Sequence, residues 1–149
     1  MKKKRVLKSY HQFIDDIVTY LKSYFYLHAW YISVLYMKDG KIDNEFEKIA
    51  SIGSSEQYMD ATLSLYPLAN KMWKDGKYRK LTGCIVHEFC HTITDPLYRI
   101  ACKGVSQREG ENLELVRELS TQKISVIALH GLSPTDSRLS PYKTLKRKR

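Results

Sequence analysis

Cysteine, proline and glycine are all scarce in this chain of 149 residues, which contains 3 Cys, 4 Pro and 7 Gly. So little glycine and proline excludes a collagen-like or low-complexity protein. The cysteines, Cys84, Cys90 and Cys102, form no C-x-x-C pair and leave an odd thiol. This excludes a disulfide scaffold and favours a reducing compartment. A chain of this length buries about two-thirds of its unfolded surface on folding, so we expect one domain with its own core.

Long hydrophobic runs are also missing, since none approaches the roughly 20 apolar residues that a membrane span requires. The basic start at residues 1–5 leads into Asp15 and Asp16 rather than into the hydrophobic region of a secretory signal. We therefore expect a cytoplasmic protein with no membrane partner.

Acidic residues are outnumbered, with 16 against 25 basic ones and a formal net charge of +9. Residues 1–8 and 143–149 hold five basic residues each and no acidic ones, and subtracting these 10 from 25 leaves 15 basic against 16 acidic groups in between. We predict a basic N-terminal tail at 1–8, a single domain at 9–132 and a disordered basic tail at 133–149. Such tails either improve solubility or contact nucleic acid weakly and without sequence preference.

Three strands are predicted in the first half of the chain. The aromatic and β-branched run at 30–37 stops at the turn signal Lys38-Asp39-Gly40, which indicates a hairpin with a second strand at about 46–52. Residues 57–66 alternate between apolar and polar side chains and predict a half-buried third strand. We expect a small, mostly antiparallel sheet.

Helices are predicted on both sides of these strands. Apolar periodicity indicates a helix at about 10–26, a second at about 79–94 that ends at Asp95-Pro96, and a last one at about 109–130. Residues 71–80 are polar and predict a short helix or a loop. The overall pattern is typical of an α+β fold.

The second of these long predicted helices contains the motif H-E-x-x-H, as His87-Glu88-Phe89-Cys90-His91. Histidines four residues apart lie on one helical face, so both imidazoles can reach one Zn²⁺ at about 2.0–2.1 Å. Glu88 follows His87 by about 100° and is placed beside the metal, where a carboxylate can act as general base on a zinc-bound water.

The alternative interpretation is a coincidental match in a helix that faces the core. The apolar or uncharged neighbours of the motif argue against it, because two histidines and a glutamate buried without partners would be costly. Cys90 is expected to point away from the metal face and to be buried and inert.

A catalytic zinc needs three protein ligands and one open position. The metzincin extension is excluded because Leu97 occupies the position of its third histidine, and no further histidine occurs before His130. A carboxylate of the last helix can serve instead. The residues available on one face of that helix are Glu111, Glu114 and Glu118.

Three segments carry a resemblance to a known family: the H-E-x-x-H motif at 87–91, the following Thr94-Asp95-Pro96-Leu97, and residues 114–120. With them, the span from about Thr62 to Ala128 resembles small phage and prophage zinc metallopeptidases of the gluzincin type. The resemblance implies a minimal zincin-like fold with an N-terminal helix, a small sheet whose edge strand lines the cleft, a metal helix and a glutamate helix. It also implies Glu114 as the third ligand.

Neighbouring residues each allow two interpretations. Glu118, one turn after Glu114, either accepts a hydrogen bond from a liganding histidine or pairs with Gln122 or Lys123 in solvent. Asp95 either holds the free N–H of His91 or belongs to a helix-ending turn. Tyr98 either stabilises a developing oxyanion or packs against the core.

These observations predict a zinc metallopeptidase with Zn²⁺ as cofactor and a peptide or protein as substrate, in the host cytoplasm if a phage encodes it. The strand near Ala61–Leu65 is the expected edge that binds an extended peptide. Two alternatives remain: a zincin-fold regulatory or binding protein with little catalysis, and a small basic nucleic-acid-binding protein with an incidental motif.

Overall fold

The computed structural model of the chain describes residues 5–38, 48–55, 57–132 and 136–144. It is an α+β structure, as predicted. The elements in chain order are β1 (Arg5–Leu7), α1 (Tyr10–Tyr24), β2 (Tyr31–Tyr36), β3 (Ala50–Ser55), β4 (Asp60–Leu65), α2 (Pro67–Lys74), α3 (Tyr78–Ala101), α4 (Gln107–Gly131) and β5 (Tyr142–Thr144).

The chain divides into two compact units. The first comprises Met1–His28 with Ser133–Arg149, and the second is Ala29–Leu132. The predicted domain at 9–132 therefore ends where the second unit ends, but its first helix belongs to the other unit.

In the first unit, β1 and β5 pair in antiparallel fashion and α1 lies between them in the chain. Lys8 follows β1 and is buried, with its Nζ 2.8 Å from Asp16 Oδ2 and 2.7 Å from the carbonyl of Ser137. The predicted disorder of the C-terminal segment is thus wrong for residues 136–144, and Lys8 is not part of a solvated tail. The rest of both predicted tails, 1–4 and 145–149, lies outside the described residues.

Helix α1 begins as the sequence predicts. The side chain of Ser9 accepts a hydrogen bond from the backbone N–H of Gln12 at 3.2 Å, which satisfies one of the N–H groups that the first turn leaves without a partner. Its buried face is apolar and consists of Phe13, Ile14, Ile17, Val18, Tyr20 and Leu21.

The second unit contains a three-stranded sheet in the order β2-β4-β3. Strand β4 pairs parallel with β2 and antiparallel with β3, so the sheet is mixed rather than mostly antiparallel. The predicted hairpin is wrong because β4 separates β2 from β3, and its turn at Asp39-Gly40 lies outside the described residues. Strand β4 has partners on both sides, so it cannot be the free edge expected near Ala61–Leu65.

Helix α3 continues past the predicted stop at Asp95-Pro96 and ends at Ala101. Pro96 has no N–H for the carbonyl of Thr92, and a proline inside a helix costs about 3 kcal/mol. Interactions of the two residues before it offset this cost: Thr94 Oγ1 lies 2.7 Å from Thr121 Oγ1, and Asp95 Oδ1 lies 3.0 Å from His91 Nδ1. The contact with Thr121 of α4 is non-local and cannot be predicted from local sequence rules, whereas the contact between Asp95 and His91 was one of the two interpretations given above.

A turn at Gly104 reverses the chain between α3 and α4, and its φ of +80° favours glycine. Helix α4 then starts with a capping box in which Ser106 and Glu109 satisfy each other's backbone N–H groups. The two helices pack antiparallel along their length. Among the described residues, no helix has the length and apolar character needed to cross a membrane.

Candidate metal centre

The motif histidines and one carboxylate of α4 meet at the packing surface of the two helices. His87 and His91 lie one turn apart on α3, with ring centroids 5.0 Å apart and planes at 85°. Glu118 faces them from α4, with Oε2 3.8 Å from His87 Nε2 and Oε1 3.7 Å from His91 Nε2. One ligand atom from each of the three residues lies within 4.8 Å of the other two.

This arrangement fits a tetrahedral zinc ion. Ligands at about 2.0–2.1 Å from a tetrahedral metal are separated by about 3.3 Å. The nitrogen–oxygen separations of 3.7 and 3.8 Å involve the two different oxygens of Glu118, and one ligand atom from each residue lies within 4.8 Å of the other two. Rotamer adjustments would therefore have to bring the three ligand atoms closer together around a metal. Three ligands from two helices leave the fourth position open, as a catalytic site requires.

Asp95 orients the second histidine. Its Oδ1 lies 3.0 Å from His91 Nδ1, one turn along α3, which corresponds to one of the two interpretations that the sequence allowed for Asp95. A carboxylate at Nδ1 favours the tautomer with the proton on that nitrogen, so the lone pair of Nε2 is directed to Glu118 and the metal position.

Arg117 links the carboxylates around the centre and was not anticipated from the sequence. Its guanidinium donates to Glu118 Oε1 at 2.6 Å and to Glu114 Oε1 at 2.7 Å, and it lies 3.6 Å from Asp95 Oδ1. It also lies over the ring of Tyr98, 5.0 Å from the centroid. Its spacing from Glu114, three residues, was the only sequence signal for this role.

The charges of this group leave room for a divalent cation. Asp95, Glu114 and Glu118 carry three negative charges when ionised, and Arg117 carries one positive charge, which leaves a formal charge of −2. Two neutral histidines do not change this balance. A Zn²⁺ ion would therefore neutralise the formal charge of the cluster, part of which solvent screens otherwise, because the side chains of Glu114 and Glu118 are about half exposed.

His87 has the properties of a neutral ligand. Burial lowers the pKa of His87, and the neighbouring charge of His91 lowers it further, against the opposing effects of Glu118 and a hydrogen bond with Gln122. The imidazole is therefore biased towards the form that carries a lone pair. Its Nδ1 is buried and has no hydrogen-bond partner among the described residues.

Glu88 lies beside the histidines, as predicted, and contacts the sheet. The backbone N–H of Ile52 in β3 donates to Glu88 Oε2 at 3.1 Å. Burial raises the pKa of Glu88 to about 7, against the opposing effects of His91, the Ile52 hydrogen bond and Lys48. A carboxyl group with this pKa can both take up and release a proton near neutral pH.

The other predicted carboxylates lie outside the cluster of ligand atoms. Glu114, which the family resemblance favours as the ligand, is bound to Arg117, and its side chain is half exposed. Glu111 accepts a hydrogen bond from Gln107 at 3.3 Å. The structure thus brings together His87, His91 and Glu118, which was one of the alternatives, and leaves Glu114 and Glu111 aside.

Tyr98 lies next to the carboxylates and Arg117. The hydroxyl of Tyr98 forms hydrogen bonds with Glu114 and with Cys102, both of which raise its pKa. These contacts place the Tyr98 hydroxyl in the network around Arg117, and its role towards an oxyanion stays a prediction.

Cys90 is fully buried, and burial raises the pKa of its thiol to about 12, as expected for an inert side chain.

Strand β3 presents the free edge of the sheet to the metal helix. Ile52 donates to Glu88, and the carbonyl of Ser54 accepts from Arg99 at 3.1 Å. Backbone groups alternate between the two sides of a strand, so Ala50, Ile52 and Ser54 point away from β4 on the same edge. Of the two edge strands, β2 and β3, it is β3 that contacts Glu88.

Comparison with protein family models, with curated proteins and with solved structures finds no match in any of the three. The resemblance to gluzincin metallopeptidases rests on the residues quoted above.

Proposed function

We propose that this chain is a zinc-dependent peptidase. His87, His91 and Glu118 would hold the metal, and Glu88 would act as general base and then as general acid. Glu118 takes the place of Glu114 as the proposed third ligand because its carboxylate, and not that of Glu114, lies within reach of both imidazoles.

One observation carries this proposal: three ligand atoms from α3 and α4 converge next to a carboxyl group whose pKa is raised to about 7. A histidine pair on a helix is common in ordinary cores, but a third ligand from a separate helix is not implied by the motif. Perturbed titratable groups cluster at functional sites, which supports a catalytic interpretation over a purely structural one.

Bound zinc supplies a Lewis acid and lowers the pKa of water towards about 7. Glu88 Oε2 is held by the N–H of Ile52, which leaves Oε1 to accept a proton from the attacking water. The same oxygen then delivers this proton to the nitrogen of the departing amine. Asp95 keeps His91 in the tautomer that a ligand needs, and Arg117 holds one oxygen of Glu118 so that the other is free.

The free edge of β3 provides a binding site for an extended peptide. The main-chain groups of Ala50 and the carbonyl of Ile52 on that edge can pair with the backbone of a substrate, whereas the N–H of Ile52 is already bonded to Glu88. Such main-chain pairing gives affinity without sequence preference. Side-chain pockets must then supply specificity.

The test combines metal analysis with hydrolysis of a mixed peptide library. We expect about one zinc per chain in the wild type and in Glu88→Gln, and a loss of hydrolysis of about 10²-fold or more in Glu88→Gln, which is the usual contribution of a general base. Glu111→Gln, a change of the same kind at an exposed carboxylate outside the cluster, should retain both zinc and activity.

The outcomes separate the alternatives. A wild-type protein that contains no zinc and melts at the same temperature after chelation would contradict the metal centre. If the wild type contains zinc but shows no hydrolysis that is lost in Glu88→Gln, the result would favour a zincin-fold binding protein with little catalysis.

A further inference from the structure

A groove of about 970 Å³ opens beside the proposed metal centre. It runs between the first half of α3, the second half of α4 and the start of β3, and all its lining residues belong to the second unit. His87 and Glu88 are the last residues of α3 that line it. Its volume is at the upper end of the range of ligand pockets in proteins, about 300–1,000 Å³.

The far end of this groove is cationic. Arg79 and Lys80 line it and are exposed. The exposed Lys48 also lines the groove and interacts electrostatically with Glu88, which is the only acidic residue among the described lining residues. The ion pairs formed within the described parts of the chain involve none of these three cations. Unlike Lys48, Arg79 and Lys80 therefore have no acidic partner among the described residues. Two such positive charges indicate an anionic ligand.

The start of α3 strengthens this indication. Its N-cap, Lys77, makes no side-chain capping bond, and its first turn contains no acidic residue. The N-terminus of a helix carries a partial positive charge, so Arg79 and Lys80 lie where cations are least favourable for the helix itself. A carboxylate bound there would interact with both side chains and with the helix dipole.

The stretch between the cationic end and the metal centre is partly apolar, with the polar side chains of Gln122 and Ser125 among its lining residues. Val126 and Leu129 line it from α4 with 43% and 36% of their surfaces exposed, and Ile49 lines it from the β3 side. Gly83 lines the groove from α3, where a Cβ would make an ordinary contact with Leu129 at 3.7 Å. An occupant therefore combines an apolar stretch with an anionic end.

The distance between the two ends sets the length of the occupant. Eight residues of α3 separate Arg79 from His87, and Lys80 from Glu88, which corresponds to about 12 Å along the helix axis. An extended peptide advances about 3.3 Å per residue, so three to four residues span this distance.

We propose that this groove binds a carboxylate three or four residues from the scissile bond of a peptide substrate, with Arg79 and Lys80 as its cationic contacts. This inference rests on the proposed peptidase function, because the distance is counted from His87 and Glu88. The carboxylate belongs either to an acidic side chain or to the C-terminus of the peptide, and the test distinguishes these sources.

The experiment measures the binding of fluorescent peptides to zinc-loaded Glu88→Gln protein by anisotropy. One pair of amidated peptides differs only by Glu or Gln at the fourth residue from the central bond. A second pair ends at that residue, with either a free carboxylate or an amide. We expect roughly fivefold tighter binding of the acidic member of at least one pair, since exposed charge pairs contribute up to about 1 kcal/mol.

Charge reversal identifies the contact. Arg79→Glu with Lys80→Glu should remove the preference for the acidic peptide, and this change should not impair folding because acidic residues suit the first turn of a helix. The matched control is Arg108→Glu with Lys123→Glu, which changes the net charge equally at two exposed positions of α4 outside the groove. The control should keep the preference.

Equal binding of acidic and neutral peptides, or a preference that survives the reversal at Arg79 and Lys80, would overturn the inference. So would tighter binding of a short oligonucleotide than of the acidic peptides, which would assign the cationic end to nucleic acid. Zinc content is measured on the same samples, so a protein that lacks zinc but keeps the peptide preference would contradict the peptidase and not the groove.

Discussion

Arg117 donates a 2.6 Å hydrogen bond to Oε1 of Glu118, the residue that follows it in α4. Glu118 faces His91 with the same oxygen, at 3.7 Å. The guanidinium of Arg117 thus fixes the carboxylate of Glu118, the proposed ligand. About four-fifths of the Arg117 side chain is buried. Arg117 is the counter-ion of three carboxylates in this cluster. Its contribution to the stability of the metal-free protein should therefore exceed that of an exposed ion pair.

Replacing Arg117 by Leu should destabilise the metal-free protein by about 1–3 kcal/mol, because Asp95, Glu114 and Glu118 lose their common counter-ion. The increase in melting temperature on adding zinc should be larger in this variant than in the wild type, since the metal then supplies the missing positive charge. Thermal melts with chelator and with zinc test this.

The exposed Arg108, in the first turn of α4, provides the control. Arg108→Leu should leave both melting temperatures within about 1 °C of the wild type. An Arg117→Leu protein that melts like the wild type in chelator would show that the carboxylates do not need the guanidinium.

Glu118→Ala should reduce zinc affinity much more than Glu114→Ala. Loss of a ligand removes a bond to the metal, whereas Glu114 contacts the centre only through Arg117, and loss of such a supporting group typically costs about 10–100-fold. Zinc titration with a competing chelator measures both variants. If Glu114→Ala empties the site and Glu118→Ala leaves it full, the ligand assignment returns to Glu114.

The choice between these two glutamates shows where sequence reasoning ends. The motif in α3 and the existence of α4 follow from spacing and periodicity alone. Glu111, Glu114 and Glu118 share a face of α4, and their order cannot say which of them lies opposite the histidines. That depends on how α4 is rotated on α3, which contacts such as Thr94–Thr121 determine.

The sheet illustrates the same limit. Strands β2 and β4 were recognisable from their own residues, whereas the strand predicted at about 46–52 overlaps β3 only at residues 50–52. The order β2-β4-β3 is a non-local property. Turn signals at 38–40 favoured a hairpin, and the parallel pairing of β2 with β4 overrides them. The sheet edge next to Glu88 therefore belongs to β3, whereas the sequence predicted β4 as the edge strand.

Asp95→Ala should weaken zinc binding by about 10–100-fold, because His91 loses the acceptor that fixes its tautomer and ring orientation. The change also removes one negative charge from the cluster, which acts in the same direction. Asp75→Ala at the end of α2 is the control and should bind zinc like the wild type. Equal affinities in the two variants would mean that the contact with His91 is structural only.

The raised pKa of Glu88 predicts how the stability of the metal-free protein depends on pH. The pKa rises from 4.5 to about 7 on folding, so between these values the folded state binds more protons than the unfolded state. The free energy of unfolding therefore decreases as pH increases through this window, by at most about 3 kcal/mol from this group. The pKa of His87 is lowered in the folded state, so the folded state binds fewer protons at this residue than the unfolded state does. His87 therefore makes the free energy of unfolding increase with pH, in the opposite direction to Glu88.

Comparison with Glu88→Gln isolates the effect of Glu88, because the other groups contribute to both proteins while glutamine does not titrate. In chelator, the stability of the variant relative to the wild type should increase between pH 5 and pH 7 and then level off, as denaturant melts at each pH would show. A difference that stays constant across this range would mean that Glu88 titrates at its ordinary pKa. The carboxyl group would then lack the raised pKa that suits it to both steps of proton transfer.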